Sequence, residues 1–167
     1  MEKEPSWKAK RAILLFAAAW TALVILVPFT MAPGSVGDLS GRVGTVDNDF
    51  SDVNVLAQAV YLIGDLNCHT MAERSIELNG NQMPFCARDV GLFLGLSIGM
   101  AAVLFLNPRF SWLVVIIMAM PLVIDGGVQL LFDYESSNVL RAVTGIIGGS
   151  AVALFLGHVA DGALKAR

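Results

Sequence analysis

The residue types best suited to chemistry lie in one stretch of the sequence. Cys68 and His69 are adjacent, Arg74 follows them, and Cys86 and Arg88 come after a short gap. Thiolates and imidazoles are ligands that Zn²⁺ prefers, and arginines recognise carboxylate and phosphate groups. The stretch therefore predicts metal or thiol chemistry beside a group that binds anions.

The two cysteines allow three interpretations. Cys68 and Cys86 could form a structural disulfide, because the predicted location outside the cytoplasm permits one. Together with His69 they could hold Zn²⁺, with Asp125 or a water as the fourth ligand. Cys68 could instead be a nucleophile whose pKa is lowered by His69 and the arginines. The spacing alone favours the disulfide and leaves the other two open.

A second group of polar residues interrupts an apolar run. Asp125 and Gln129 are four residues apart, so they share one face of a helix. An ionisable group within a membrane span is costly and usually faces a partner or a water-filled cavity. Either Asp125 pairs with Arg88 or Arg141 to fix the helix register, or it has a ligand or catalytic role. Asn138 and Arg141 belong to the polar turn predicted at 133–141.

The elements that must position these residues are membrane helices. The chain has 167 residues, of which 56% are apolar and only 15% charged, and its mean hydropathy is +0.68. A helix needs ~20 apolar residues to cross a bilayer, and the sequence has four such runs, at 12–32, 90–108, 110–132 and 142–160. We predict an all-α polytopic integral membrane protein with four transmembrane helices in a single membrane domain, 1–167. The net charge of −3 argues against a nucleic-acid partner and leaves the lipid bilayer as the predicted surrounding.

The distribution of Lys and Arg predicts the orientation. Basic residues concentrate on the cytoplasmic side of membrane proteins. With both termini in the cytoplasm, that side carries Lys3, Lys8, Lys10, Arg11, Arg109, Lys165 and Arg167, and the outer side carries Arg42, Arg74, Arg88 and Arg141. We therefore predict a multi-pass protein of the cell membrane whose long connection, 33–89, lies outside. Within it, 53–66 has helical spacing but is too short to span, which predicts an interfacial or re-entrant helix.

Two rows of small residues predict how the helices pack. One row contains Gly91, Gly95 and Gly99, and the other contains Gly145 and Gly149. Small residues at every fourth position let two membrane helices approach closely. The rows either build a compact bundle within one chain or form the interface of a homo-oligomer.

Several fixed spacings resemble the motif of small prokaryotic membrane proteins catalogued as domain of unknown function 2085. The matching residues are Cys68-His69, Arg74-Ser75, Pro84-Phe85-Cys86-Ala87-Arg88, Gly91, Asp125-Gly126, Gln129, Ser137-Asn138, Arg141 and Thr144-Gly145. The resemblance covers about 67–149 and supplies no activity. It does imply one constellation of Cys68, His69, Arg74, Cys86, Arg88, Asp125, Gln129, Asn138 and Arg141. Asp89 stands where many relatives carry another cysteine or polar residue, which argues against a three-cysteine metal site.

A constellation of this size exceeds what a disulfide staple needs, so our first hypothesis is a zinc-binding membrane hydrolase or transferase. In it Cys68, His69 and Cys86 hold the metal, and the catalytic group is Asp125, Arg74, Arg88 and Arg141. The arginines predict an anionic substrate, either lipid-like or small. The alternatives are a thiol/disulfide redox protein and a non-enzymatic structural or transport subunit.

Overall fold

A computed structural model describes residues 3–132 and 134–163. The predicted turn residue Asp133, and Lys165 and Arg167 of the orientation argument, lie outside the described residues. The helices are α1 (Lys3–Leu26), α2 (Val55–Asn67), α3 (Ala87–Leu106), α4 (Trp112–Phe132) and α5 (Asn138–Ala163), and the strands are β1 (Ser75–Leu78) and β2 (Asn81–Cys86).

The prediction of four helices long and apolar enough to cross a membrane is confirmed by α1, α3, α4 and α5. Their ends differ from the predicted bounds. After Leu26 the chain tightens into a 3₁₀ turn, Val27–Thr30, which contains Pro28. Helices α3 and α5 begin earlier than predicted, so Arg88 and Arg141 lie inside helices. Hydropathy locates only the apolar part of a helix, whereas the hydrogen-bonded backbone continues into the polar flanks.

The core of the bundle is the contact between α3 and α5. Helix α3 also packs against α1, and α4 packs against α5. A Cβ added at Gly95 would lie 2.1 Å from the carbonyl oxygen of Ile146, and one at Gly149 would lie 2.2 Å from that of Leu92. The two glycine rows thus face each other within one chain, as the compact-bundle interpretation predicts. The two rows of small residues, which could have formed an interface with a second copy, therefore make contacts between helices of the same chain.

Helix α4 lies at the edge of the bundle. Among its residues, all of which the structure describes, Asp125 alone is buried. Apolar side chains such as Val123, Ile124 and Leu130 are more than half exposed, as suits a helix that faces lipid. Helix α4 packs mainly against α5. The polar contacts of Asp125 connect α4 to α3 as well.

The structure adds a β-hairpin, which the all-α prediction lacks. Strands β1 and β2 are antiparallel, and Leu78 pairs with Asn81 across the turn. The two turn residues, Asn79 and Gly80, have φ of 55° and 67°, the left-handed conformation that two-residue hairpin turns require. Asn-Gly between strands is a strong hairpin signal, so this hairpin was predictable from the sequence. Strand β2 runs directly into α3, so Cys86 ends the strand and caps the helix.

The short helix predicted at 53–66 is present as α2. The Asn54 side chain accepts a hydrogen bond from the Ala57 backbone N–H and caps its start. Helix α2 packs closely on β2: Gly64 lies against the Pro84 carbonyl, and the Tyr61 hydroxyl donates to the Gln82 carbonyl at 2.5 Å. This packing carries the end of α2 to the junction of β2 and α3. The interfacial or re-entrant position of α2 stays a prediction.

The start of α1 and the end of α5 lie at the same end of the bundle. The Lys10 ammonium lies 2.8 Å from an Asp161 carboxylate oxygen, and the Ser6 hydroxyl donates to the same carboxylate at 2.5 Å. Phe110, in the α3–α4 connection, stacks on His158 there. We call this the terminal end, and we call the opposite end, with α2 and the β-hairpin, the hairpin end.

Candidate functional site at the hairpin end

Three side chains able to bind a metal converge where β2 meets α3. The Sγ atoms of Cys68 and Cys86 and a carboxylate oxygen of Asp89 all lie within 4.8 Å of one another. The backbone N–H of Cys86 donates to the Cys68 sulfur at 3.2 Å, and both cysteines are free thiols. We call these three residues the thiol cluster.

Local structure explains how the thiol cluster forms. Cys68 is the C-cap residue of α2, Cys86 is the N-cap residue of α3, and Asp89 lies in the first turn of α3. The start of a helix carries partial positive charge and stabilises negative groups. Cys86 and Asp89 therefore lie at the N-terminal end of α3, where the helix stabilises the negative charge of a thiolate or a carboxylate.

The two thiols differ in acidity. A hydrogen bond from the Cys68 thiol lowers the pKa of Cys86, and the backbone N–H groups of Asp89 and Arg88 lower it further. The same hydrogen bond raises the pKa of Cys68, and burial raises it too. Cys86 is thus the sulfur that carries negative charge more readily, because its neighbours donate to the thiolate form.

His69, which the sequence analysis placed among the metal ligands, lies outside the thiol cluster and is exposed. Asp89 is instead the third potential ligand beside the two cysteines, although from the sequence it was only a departure from the family motif. A signal for Asp89 was available. An acidic residue three positions after the N-cap lies over the helix start and close to the capping residue.

A second centre lies between α3 and α4. One guanidinium nitrogen of Arg88, Nη2, donates to Asp125 Oδ2 at 2.5 Å and to Gln129 Oε1 at 2.5 Å. Of the two partners considered for Asp125, the structure selects Arg88. Asp125 and Gln129 lie on one face of α4, as their spacing predicts, and both contact the same arginine.

Arg141 lies at the start of α5 and is only 2% exposed. Its Nη1 donates to the Glu73 carbonyl oxygen at 3.3 Å and to Asn138 Oδ1 at 3.1 Å. The Asn138 amide donates in turn to the Ser75 carbonyl at 3.0 Å, so α5 is tied to the hairpin. Arg74 directly follows Glu73, whose carbonyl Arg141 contacts, and the Arg88 carbonyl lies against Gly145, one turn after Arg141 on α5. The three arginines therefore form one cationic group, which we call the arginine cluster.

Several buried polar atoms around the arginine cluster have no hydrogen-bond partner among the described residues. They are Arg74 Nε, Arg88 Nε, Arg141 Nη2, Gln129 Nε2 and Asp125 Oδ1. Buried polar atoms are normally paired, so a group of unpaired ones leaves hydrogen-bonding capacity that a ligand, an ion or a water could use. Arg88 lies between Cys86 and Asp89 in the chain, and Ser75, the neighbour of Arg74, pairs with Cys86 across the hairpin. The thiol and arginine clusters are therefore neighbours.

The structure thus brings together eight of the nine residues predicted as one constellation, with His69 at the exposed edge. Its chemistry is that of two soft sulfur ligands and a carboxylate next to three arginines, of which Arg141 is buried. Such an arrangement can hold a metal ion or a reactive thiol and can bind an anion beside it.

Comparisons with known proteins identify the family of the chain. The profile of the family described as "Predicted membrane protein (DUF2085)" matches residues 68–155, which contain both clusters. The uncharacterized protein MJ1492 of Methanocaldococcus jannaschii is 30% identical over 141 residues, 80% of this chain and 88% of the relative. An uncharacterized protein of Methanothermobacter thermautotrophicus is 31% identical over 90 residues, 52% of this chain and 81% of the relative. No solved structure matches.

The family profile covers more than half of the chain, and the longer archaeal alignment extends over most of both proteins. With its four apolar helices, the chain belongs to the DUF2085 family of predicted membrane proteins.

Proposed function

We propose that the protein is a zinc-dependent membrane hydrolase or transferase that acts on an anionic substrate. The observation that carries the proposal is the thiol cluster, whose three ligand atoms lie within 4.8 Å of one another, with Arg88 of the arginine cluster between Cys86 and Asp89 in the chain. One way to hydrolyse an anionic ester is to combine an activating metal centre with a cationic binding site.

The ligand chemistry of the thiol cluster suits zinc. Zn²⁺ prefers thiolate, imidazole and carboxylate ligands, and catalytic sites use three protein ligands and leave one position open. Ligands of a tetrahedral zinc ion lie roughly 3.3–3.8 Å apart, so small side-chain movements would let Cys68, Cys86 and Asp89 share one ion. A zinc ion bound there would supply an activated water at neutral pH.

The other residues of the site have distinct roles in this proposal. Arg141 and Arg74 bind the negative charge of the substrate. Arg88 joins them, and its contacts with Asp125 and Gln129 hold its guanidinium in place. Asp125 is therefore a positioning residue for Arg88 in this proposal.

Metal analysis of the protein purified without chelator tests the proposal. We expect about one equivalent of zinc in the wild type, and less than about a tenth of an equivalent in Cys86→Ala, because two remaining ligands bind zinc weakly. His69→Ala is the matched control, since His69 neighbours Cys68 but lies outside the thiol cluster. It should keep its zinc. A wild-type protein without a transition metal would contradict the proposal. Zinc loss in His69→Ala would instead support the ligand set predicted from the sequence, in which His69 binds the metal with the two cysteines.

A second candidate is a thiol/disulfide redox protein. The proximity of the two sulfurs favours it, because Cys68 and Cys86 already contact each other through the Cys86 backbone N–H. Thiol labelling before and after reduction distinguishes the two functions on the sample used for metal analysis. A metal-free protein whose two cysteines exchange between free and disulfide forms would support redox chemistry instead.

We further propose that the hairpin end faces the outside of the cell membrane and that both termini are cytoplasmic. The excess of basic residues toward the terminal end supports this orientation. A fluorescent reporter that matures only in the cytoplasm should be active after residue 167 and inactive when inserted at Gly37, which is exposed and has open space around it. The reverse pattern would place the site on the cytoplasmic face.

A further inference from the structure

The arginine cluster contains a buried positive charge, on Arg141, with which no carboxylate of the described residues forms an ion pair. Arg141 is 2% exposed, and its two hydrogen-bond acceptors are a backbone carbonyl and an amide oxygen. Neither acceptor carries a full negative charge. Burying an unpaired charge is costly, and proteins that keep one usually provide a counter-ion or a ligand.

The neighbouring acids do not supply the missing charge. Asp125 is engaged by Arg88. Glu135 meets Arg74 at 3.4 Å, but its side chain is 60% exposed, and ion pairs of exposed side chains contribute little. Among the described residues, Arg88 forms an ion pair with Asp125 and Arg74 forms one with Glu135, whereas Arg141 forms none. The site therefore fits a ligand that brings negative charge.

The unpaired atoms specify the kind of anion. Four nitrogens donate, from Arg74, Arg88, Arg141 and Gln129, and one oxygen accepts, Asp125 Oδ1. A carboxylate offers only two oxygens, whereas a terminal phosphate offers three. A phosphate monoester also keeps a proton part of the time near neutral pH, and that hydroxyl can donate to Asp125 Oδ1. Sulfate carries no proton there and would meet the Asp125 oxygen with repulsion.

We propose that Arg74, Arg88, Arg141 and Gln129 bind the terminal phosphate of the substrate and that the free oxygen of Asp125 accepts its hydroxyl. This proposal rests on the function proposed above, in which the site binds the substrate. It narrows the class of anionic substrate to phosphate monoesters. The group belongs either to a lipid headgroup or to a small soluble molecule.

Titration calorimetry of the purified full-length protein with inorganic phosphate and with sulfate tests the proposal. We expect phosphate to bind at least tenfold more tightly than sulfate. Arg141→Met should weaken phosphate binding roughly 10- to 100-fold, because it removes hydrogen bonds to a charged ligand. Arg42→Met is the matched control, since Arg42 is an exposed arginine of the same connection, and it should bind phosphate as the wild type does.

A second variant keeps the test decisive if Arg141→Met does not fold. Gln129→Leu removes one of the four donors from lipid-facing α4 and should also weaken phosphate binding at least several-fold. The proposal is overturned if sulfate and phosphate bind equally, or if the folded variants bind phosphate as tightly as the wild type.

Lipid nanodiscs separate the two sources of the phosphate. If the substrate is a lipid, we expect inorganic phosphate to be displaced by phosphatidic acid, which is a phosphate monoester. Phosphatidylglycerol, which is a diester, should not displace it. Displacement by neither lipid, with phosphate still bound, assigns the site to a soluble monoester. Displacement by both lipids alike would overturn the proposed preference for monoesters. The zinc content is independent of these results: failure of the metal proposal leaves phosphate binding intact, and failure of phosphate binding leaves the zinc intact.

Discussion

Arg88→Met is expected to lower the melting temperature of the purified protein by roughly 6–20 °C. Asp125 is 6% exposed and would lose the partner that contacts it at 2.5 Å. Removing one member of a buried ion pair costs ~3–5 kcal/mol, because the other charge is left uncompensated. For a chain of this size each kcal/mol lowers the melting temperature by ~2–4 °C. Thermal unfolding in detergent measures the change.

The double variant Arg88→Met/Asp125→Leu separates the pair from the rest of the site. Replacing both members of a buried pair with apolar residues of similar volume is often neutral for stability, so the double variant should recover most of the lost melting temperature. It should nevertheless bind phosphate poorly, because the arginine and the acceptor oxygen are both gone. A double variant as unstable as Arg88→Met would show that the loss does not come from the uncompensated Asp125 charge.

Gly95→Ala is expected to destabilise the bundle by at least about 3 kcal/mol, although it adds a single methyl group. The new Cβ would lie 2.1 Å from the carbonyl oxygen of Ile146, and backbone cannot move aside as a flexible side chain can. Overpacking a well-packed core typically costs ~1–3 kcal/mol, and a backbone clash at the central α3–α5 contact lies at or above that range.

Gly127→Ala is the matched control for Gly95→Ala. It is the same substitution in a membrane helix, but a Cβ at Gly127 would meet nothing within 4 Å. Alanine is favoured over glycine in a helix by ~1 kcal/mol, so this variant should melt at or slightly above the wild-type temperature. Equal melting temperatures for the two variants would show that the glycine rows do not hold α3 and α5 together.

The four apolar helices could be predicted from the sequence because the requirement is local. A backbone that crosses a bilayer must satisfy its own hydrogen bonds and present apolar side chains for ~20 residues, and both demands are visible in any contiguous window. The short helix α2 and the shared face of Asp125 and Gln129 were predictable for the same reason, since helical spacing is set by the backbone alone. The resemblance to the DUF2085 motif also implied that the cysteines and arginines belong to one constellation.

Only the tertiary structure decided which of these residues meet. Arg88 rather than Arg141 pairs with Asp125, because the rotation of α3 and α4 about their axes follows from how both pack on α5. Asp89 rather than His69 joins the cysteines, because the β-hairpin runs into α3 and places Cys86 at the start of the helix. Neighbouring side chains such as Cys68 and His69 diverge, whereas side chains one helical turn apart align. Partner choice therefore depends on packing between distant segments, which no local window of the sequence contains.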